Sequence, residues 1–457
     1  MPFLAGADGA RPSVRGSAAD RRLRGLRGRA GGRVRVYLRS VWPAREQTRP
    51  DGRPRRILVI SQNNSVPSDR RVWNEITALR AGGYHVSAIC PKGERSDVLS
   101  FERRDGVDIH RFSQVTSGGG VAGYLREFTY ALWHIRRLVR RVSRAAPFDV
   151  VHACNPPDIL LFAALSQKRR GARFIFDHHD LSPELYLARF GRGKDIVYRL
   201  SLLVEALNFR LADVVLATND SYKRVAVERG GKCKDDVFVV RSAPVLSRFV
   251  SVPADAALKR GRPHLLVFIG EIAPQDGLDH ALRALSILRN RRDDWHAVFA
   301  GDGPALGEMR HLTSELGLDH CVEFPGWLLD GELLLLLSSS DICLVPDAKT
   351  ELSDASTLVK IAEYLAMSRP VVAYDLVESR VTAGDAALYA KSGHPESFAD
   401  AIEQLLDDPA RRRRMGALGR QRVERGLAWE HSARSLLDAY EHVLSGRTRA
   451  RRSPAQR

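Results

Sequence analysis

The chain has 457 residues, 44% of them apolar, so it is too long for one ordinary core and apolar enough to fold over most of its length. Its formal charge of +17 is concentrated at the ends: residues 1–56 carry +11, residues 447–457 carry +5, and +1 remains for the rest. A nucleic-acid-binding domain needs a basic stripe on its folded part, so this near-neutral middle disfavours that class of protein.

Residues 1–54 are rich in Arg and Gly and are predicted to form a disordered arm without the apolar run of a signal peptide. The arm is either a solvated tail or a contact with anionic lipid headgroups. Five scattered cysteines indicate a reducing compartment without structural zinc. No apolar stretch is long enough to span a bilayer, so we expect a cytoplasmic protein, with peripheral contact to the inner membrane face as an option.

From residue 55, short apolar or β-branched runs alternate with helical patterns, which predicts a parallel sheet covered on both faces. In the helical pattern after the first run, Val72, Ile76 and Leu79 recur at helical spacing and Gly82 ends the pattern. The strands predicted in this half are 55–61, 86–90, 149–153, 173–179, 212–218 and 237–243.

Residues 125–145 form a strongly amphipathic helical pattern. We weigh two interpretations: a domain helix with a solvated basic face, and a helix that lies on a membrane surface. The apolar stripe comprises Leu125, Phe128, Leu132, Ile135, Val139 and Val142, and the other side carries Arg136, Arg137, Arg140, Arg141 and Arg144.

A Gly- and Pro-terminated linker, 251–263, precedes a second alternating half. Two doubly wound halves in tandem place ligands beyond the carboxyl ends of their strands, with the active site expected in a cleft. Neither half has a Gly-x-Gly-x-x-Gly or Walker motif, which weakens dehydrogenase and NTPase interpretations. The strands predicted here are 264–270, 296–301, 321–326, 341–346 and 370–375.

Several short motifs occur in order between about residues 55 and 445. They are 67–75 (PSDRRVWNE), 148–152 (FDVVH), 176–180 (FDHHD), 268–270 (FIG), 275–277 (QDG), 300–304 (AGDGP), 360–366 (KIAEYLA) and 370–373 (PVVA). Together they resemble the large family-four retaining glycosyltransferases. The resemblance implies an α/β GT-B fold of two Rossmann-like domains, with the donor on the C-terminal half, the acceptor on the N-terminal half and a last helix that crosses back.

On this basis the chain is divided into an arm, two domains, a linker, a crossing helix and a tail. The ranges are 1–54 (arm), 55–250 (acceptor domain), 251–263 (linker), 264–427 (donor domain), 428–446 (crossing helix) and 447–457 (basic tail).

Lys360 and Glu363 lie three apart on a predicted helix, so their heads can share one side of it. Glu363 can accept both hydroxyls of a ribose, and the N–H groups of the helix start can bind a diphosphate. The ordinary alternative is an ion pair on a solvated face. The predicted donor-binding residues are Gly270, Gln275, Asp276, Gly301, Trp327, Ser356, Thr357, Leu358, Lys360 and Glu363.

Two departures from the family pattern concern this donor site. The second acidic residue expected eight positions before Glu363 is Ala355, so we assign its role to the neighbouring Asp354. Where many members have an Arg and a Lys for the diphosphate, this chain has Glu271 and Asp276. Backbone dipoles or other cations must replace those charges if the site binds a diphosphate.

The resemblance places His179 near the anomeric carbon, so the predicted catalytic residues are His179, Glu363 and Asp354. A structural histidine is the alternative, as is a metal site in the Asp-His-His-Asp run 177–180, although adjacent strand residues point to opposite faces.

A loop after the first strand supplies the predicted acceptor-binding residues Asp69, Arg70 and Arg71. Arginines there suit an anionic or phosphate-bearing acceptor. A plain helix start with Ser68 as N-cap explains the pattern equally well.

The sequence therefore predicts a retaining hexosyltransferase that uses a UDP- or GDP-sugar and a polysaccharide precursor or lipid-linked sugar acceptor. Pairs of Asp two residues apart, which hold Mg²⁺ in the other main glycosyltransferase architecture, do not occur, so we expect neither metal nor other cofactor. A GT-B sugar-nucleotide epimerase is the alternative enzyme, and a nucleic-acid or membrane-surface binding protein is the alternative class.

Overall fold

The computed structural model describes residues 47–93, 97–115, 120–190 and 193–445. The described chain divides into two units: one contains residues up to Ser242 and from Glu430 onward, and the other contains Ala243–Trp429. Most of the predicted arm and the whole basic tail lie outside the described residues. Residues 47–54, assigned to the arm, pair through an antiparallel bridge between Thr48 and Pro54.

The first unit contains eight described strands and the helices between them. The strands are β1 (Arg56–Ile60), β2 (His85–Pro91), β3 (Phe101–Arg104), β4 (Val107–Phe112), β5 (Val150–Cys154), β6 (Arg173–His178), β7 (Val214–Ala217) and β8 (Val237–Val239). The helices are α1 (Arg70–Ala81), α2 (Gly120–Ala145), α3 (Leu161–Lys168), α4 (Ser182–Phe190), α5 (Ile196–Leu211) and α6 (Asp220–Glu228).

The sheet of this unit has the order β3-β4-β2-β1-β5-β6-β7-β8 and is parallel except for β3, which pairs antiparallel with β4 at the edge. In the middle of the sheet Ile57 pairs with both Val86 and Val150. Strands β5 and β7 are buried along their full length, because helices cover both faces of a doubly wound sheet. The carboxyl ends of β1, β5 and β6 consequently meet at one edge.

The second unit has six described strands, again separated by helices. The strands are β9 (His264–Ile269), β10 (Trp295–Ala300), β11 (Val322–Gly326), β12 (Ile342–Val345), β13 (Val371–Tyr374) and β14 (Ala387–Ala390). The helices are α7 (Leu278–Arg289), α8 (Leu306–Glu315), α9 (Asp330–Ser339), α10 (Glu351–Ala355), α11 (Val359–Ala366), α12 (Val377–Ala383), α13 (Pro395–Asp407) and α14 (Pro409–Arg422).

These strands form a parallel sheet in the order β11-β10-β9-β12-β13-β14. Alternation along β9 sends Leu266 and Phe268 into the core on one face and Leu265 and Val267 into the core on the other. Two doubly wound sheets confirm the predicted fold class.

A last helix, α15 (Trp429–Leu444), returns to the first unit, as predicted. The ring of Tyr440 on this helix packs 5.6 Å from the ring of Tyr84, and its hydroxyl lies 2.8 Å from Nδ1 of His152. Helix α15 therefore contributes Tyr440 to the first unit's core, next to the central strand β5.

Helix α2 matches the predicted amphipathic pattern, with one exception on the apolar stripe. Ile135 and Val139 are fully buried, whereas Leu125 is 57% exposed. Leu125 belongs to the predicted stripe by its spacing, but it lies in the first turns of α2, where its side chain faces solvent. No helix within the described ranges is long and apolar enough to cross a bilayer.

Candidate active site

In the first unit, His179 lies directly after β6 and is held from two sides. Its backbone N–H donates to the side-chain oxygen of Asn155 at 2.6 Å, and the N–H of Asp180 donates to the same oxygen at 3.1 Å. Its ring Nε2 contacts a carboxylate oxygen of Asp177. The side chain is 15% exposed, so the imidazole is fixed but still reaches the surface of the unit.

His178 points away from this group. Its ring packs against the rings of Phe209 and Tyr222, whereas Asp177 and His179 contact each other. The adjacent members of the Asp-His-His-Asp run therefore face opposite sides, as strand geometry requires.

Arg71 shares the Asp177 carboxylate with His179 and is only 11% exposed. Its Nη2 lies 3.0 Å from a carboxylate oxygen of Asp177 and 3.1 Å from one of Glu75, and its Nη1 donates to the carbonyl of Val240 and the hydroxyl of Ser242. This guanidinium positions Asp177 within the unit. Its predicted contact with an acceptor stays a prediction.

Asp69 begins α1: its carboxylate accepts the N–H of Val72 at 3.1 Å. The alternative N-cap, Ser68, is wrong, because the Ser68 hydroxyl instead donates to Asp97 at 2.6 Å. Arg70 follows the cap and is exposed. Asp69 and Arg71 thus have structural partners inside the first unit, and Arg70 is the acceptor candidate that faces solvent.

Glu75 and His152 complete the group and were missed by the sequence interpretation. Both are fully buried, and His152 Nε2 lies 3.2 Å from Asp177 and 3.7 Å from Glu75. A recognisable signal existed, because Glu75 occupies the apolar face of α1 beside Val72 and Ile76. An acidic residue in such a stripe needs a buried partner.

Glu75 and Asp177 respond differently to this environment. Burial, reinforced by the neighbouring Asp177 charge, raises the pKa of Glu75 well above its usual range. Burial would also raise the pKa of Asp177, but Arg71 and His179 outweigh it and hold that pKa well below its usual range. A proton in this group therefore resides on Glu75 in preference to Asp177.

By residue type, this cluster also contains metal-ligand atoms. Ligand atoms of Glu75, His152, Cys154 and Asp177 lie within 4.8 Å of one another. Arg71 already supplies a cation to the carboxyl groups of Glu75 and Asp177. The expectation that the enzyme needs no metal stays a prediction.

Asp158 anchors Asn155, which donates to it at 2.8 Å. Burial is the main cause that raises the Asp158 pKa from 3.8 to about 6. A raised folded-state pKa means that the folded chain binds the proton more tightly than the unfolded chain. The free energy of unfolding of the wild type therefore falls as the pH rises from 3.8, the pKa of this group in the unfolded chain, to about 6, its pKa in the folded chain.

We expect Asp158→Asn to remove this pH dependence. The difference in unfolding free energy between variant and wild type should shift in favour of the variant by up to about 3 kcal/mol between about pH 4 and pH 6. Urea unfolding of both proteins across that range measures the difference. A difference that stays constant with pH contradicts the assignment.

In the second unit, Lys360 stands in the first turn of α11 and is held by two carboxylates. Its Nζ lies 3.1 Å from Asp276 and 3.2 Å from Asp347, and 4.6 Å from the ring centroid of Phe268. Burial would lower the pKa of Lys360, but Asp347 and Asp276 outweigh it and raise that pKa. Asp276, which stands where the family has a cation, thus fixes a cation that comes from α11.

Helix α11 is anchored to the end of β9, because the hydroxyl of Tyr364 accepts the N–H of Ile269 at 2.8 Å. The helix starts at Val359 and is capped by Leu358 without a side-chain hydrogen bond, and the N–H of Ile361 donates to the carbonyl of Leu358 at 3.0 Å. Glu363 is partly buried one turn after Lys360. Lys360, Glu363 and the helix start thus lie close together, beside the carboxyl end of β9.

Gly301 and Gly277 permit close contacts between loops. A Cβ on Gly301 would lie 1.8 Å from the carbonyl oxygen of Gly270, and one on Gly277, whose φ is +67°, would lie 2.1 Å from that of Pro346. These glycines are required by neighbouring backbone at the strand ends. The predicted contact of Gly301 with the donor stays a prediction.

The remaining predicted site residues of the second unit have mixed environments. Asp354, predicted to be catalytic, accepts the first N–H of α12, that of Val377, at 2.8 Å and lies 3.2 Å from Lys349. Gln275 is exposed in a short helical turn, and Trp327 is 70% exposed directly after β11. The hydroxyl of Ser356 donates to the carbonyl of Leu352, and Ser356 and Thr357 directly precede the cap of α11.

Comparison with known proteins covers both units. The sequence profile of the Glycosyl transferase 4-like domain matches residues 68–242, and that of Glycosyl transferases group 1 matches residues 263–408. D-inositol 3-phosphate glycosyltransferase of Nocardia farcinica is 30% identical over 440 residues, which span 87% of this chain and 91% of that protein.

Two further proteins are similar to this chain, one in sequence over part of its length and one in fold. Alpha-D-kanosaminyltransferase of Streptomyces kanamyceticus is 30% identical over 153 residues, so the match spans 33% of this chain and 38% of that relative's length. Anabaena HepE, solved in complex with UDP-glucose, superposes with a TM-score of 0.65 at 15% identity and covers 84% of this chain and 99% of its own. The chain therefore belongs to the group 1, family-four type of glycosyltransferases and is a glycosyltransferase of the GT-B fold.

Proposed function

We propose that the protein transfers a hexosyl group, with retention of anomeric configuration, from a UDP- or GDP-sugar to a polysaccharide precursor or a lipid-linked sugar. The observation that carries this proposal is the arrangement of Lys360 and Glu363 on α11 beside the end of β9. Anabaena HepE, which shares the fold, is described in complex with UDP-glucose. The Nocardia relative is named for transfer to D-inositol 3-phosphate, a small polar acceptor.

In this proposal Glu363 accepts the ribose hydroxyls and the start of α11 binds the diphosphate as it leaves. Lys360 adds positive charge, but Asp276 and Asp347 already offset it. The helix N-terminus consequently provides most of the stabilisation for the leaving group, without a metal ion.

On the acceptor side we assign to His179 the role beside the reacting carbon; Asp177 fixes its Nε2. Its imidazole accepts a proton from the acceptor hydroxyl or offsets developing charge. Asp177 touches no reacting atom in this scheme and is a positioning residue. We also propose that the enzyme acts in the cytoplasm, at the inner membrane face when its acceptor is lipid-linked.

We expect Glu363→Ala to remove donor binding. A carboxylate that accepts two ribose hydroxyls contributes about 3 kcal/mol, so the dissociation constant should rise by about a hundred-fold. Titration calorimetry with a panel of UDP-, GDP-, ADP- and dTDP-sugars measures it, and also identifies the nucleotide that the wild type binds.

The matched control is Glu308→Ala, which removes an exposed glutamate from α8 in the same unit. It should bind the donor as the wild type does. If Glu363→Ala binds the donor equally well, Glu363 is not a ribose acceptor.

The epimerase alternative predicts a different product from the same donor. It would convert one sugar nucleotide into its epimer without acceptor and without release of nucleoside diphosphate. Chromatography of the reaction products separates the two activities.

A further inference from the structure

The outer face of α2 carries large apolar side chains in solvent. Trp133 is 56% exposed, and Leu125, in the first turns of the helix, is 57% exposed. Ile135 and Val139 are fully buried in the first unit, and the helical period places Ile135 nearly opposite Trp133. The helix therefore has its core contact on one side, while Trp133 faces solvent on the other.

The charged side chains on the surface of this helix are all positive. The exposed arginines are Arg126, Arg136, Arg137, Arg140, Arg141 and Arg144. The one acidic residue of α2, Glu127, is buried and accepts a hydrogen bond from Gln62 at 3.2 Å. An anionic partner thus meets no acidic side chain of α2 itself.

Apolar and basic groups alternate within reach of one another on this face. Thr129, Leu132 and Trp133 line a surface groove together with Arg136, Arg137 and Arg140. The guanidinium of Arg137 lies 5.6 Å from the ring centroid of Trp133. Tryptophan and arginine side by side suit the boundary between headgroups and acyl chains, where the ring enters the apolar layer and the guanidinium stays with phosphate.

Other occupants fit this face less well. A second copy of the same face would oppose arginine to arginine, which is repulsive. A nucleic-acid backbone would satisfy the arginines but offers no apolar layer for Leu125. An anionic bilayer satisfies both kinds of side chain.

We propose that this lipid-binding face, defined as Leu125, Thr129, Leu132, Trp133, Arg136, Arg137 and Arg140, docks the protein on an anionic phospholipid bilayer. Helix α2 then lies in the interface plane, with the ring of Trp133 among the acyl chains near the headgroups. The proposal goes beyond the transfer reaction, because it depends on no residue of the proposed donor or acceptor sites.

Co-sedimentation of the full chain tests the proposal with vesicles of phosphatidylcholine alone and of phosphatidylcholine with an equal part of phosphatidylglycerol. The wild type should bind the mixed vesicles and not the neutral ones. The variant Arg136→Gln/Arg137→Gln/Arg140→Gln should bind about a hundred-fold more weakly, since each arginine near the surface contributes about five-fold.

The matched control is Arg413→Gln/Arg414→Gln/Arg425→Gln, which removes the same charge from exposed positions of the second unit. Its binding should fall by less than about three-fold, because these arginines lie outside the lipid-binding face and lose only screened, long-range attraction. Equal losses in the two triple variants would overturn the proposal, as would binding that neither changes. In both cases the membrane contact lies elsewhere, for example in the arginine-rich residues 1–46.

Trp133→Phe supplies a second readout that does not depend on charge. Lipids brominated in their acyl chains should quench part of the wild-type tryptophan fluorescence, and this part should be lost in Trp133→Phe while vesicle binding persists. Unchanged quenching in the variant would overturn the proposal. Donor binding without vesicles should be normal in every variant, so failure here is separate from failure of the proposed transfer function.

Discussion

Replacing Asp177 with Asn should lower the free energy of unfolding by about 3 kcal/mol, because it removes the anion from a fully buried group. Arg71 lies 3.0 Å from this carboxylate and His152 lies 3.2 Å from it. In the variant, Arg71 keeps Glu75 as its remaining acidic partner, and burial, which raises the pKa of Glu75, opposes the ionised form of that partner.

Urea unfolding of the wild type and Asp177→Asn measures this loss. Asp236→Asn is the matched control, since Asp236 pairs with His442 at 2.8 Å in the same unit but is 20% exposed. That pair should contribute less than about 1 kcal/mol. Similar small losses for both variants would show that the buried group does not stabilise the first unit.

Replacing His179 with Ala should reduce kcat by about two to four orders of magnitude, the usual contribution of a positioned acid or base. The donor KM should stay close to the wild-type value, because the proposed donor contacts lie in the second unit. Asp177 fixes the imidazole of His179, and Asn155 accepts the backbone N–H of the same residue. We therefore expect that no neighbouring side chain takes over the role of the imidazole in the variant.

Steady-state kinetics with the donor identified by titration measures the effect. His311→Ala is the control: this histidine is 77% exposed on α8, and its loss should leave kcat unchanged. A normal kcat for His179→Ala, in a variant with a wild-type unfolding midpoint, would remove His179 from the mechanism.

The sequence located most of the sheet but missed its polar or short strands. The pattern of alternating runs predicted β1, β2 and β5 to within one or two residues. Strands β3 and β4 were missed, because their hairpin carries alternating charged residues and turns at Asp105-Gly106, where both φ values are positive. Strand β14 was missed because its four residues, ALYA, are too few to show a period.

The partners of the candidate site residues depended on tertiary contacts that no local pattern shows. Arg71 looked like a surface cation after a strand, yet it donates to Val240, 169 residues away. Likewise, the sequence indicates only that Asp276 stands where related proteins have a cation for the diphosphate. Its contact with Lys360 joins residues 84 positions apart, so it forms only in the folded chain. Local spacing can predict which residues share a helix face, but it cannot predict which element packs against that face.

The sequence predicted only part of the lipid-binding face of α2. Its basic side was evident from the helical spacing of Arg136, Arg137 and Arg140. The exposure of Leu125 and Trp133 was not, because an apolar residue on an amphipathic helix is normally assigned to the core. Only the packing of α2 on its unit separates the buried apolar residues from the exposed ones.

The most direct test of the account is the turnover of the UDP- and GDP-sugar panel by the wild type, with nucleoside diphosphate release and product anomeric configuration followed by NMR. We predict that one donor class is consumed, that nucleoside diphosphate is released in step, and that the transferred sugar keeps its configuration. An inverted product would contradict the retaining mechanism. Failure to bind or consume any nucleotide sugar, with mixed acceptors present, would contradict the proposed function itself.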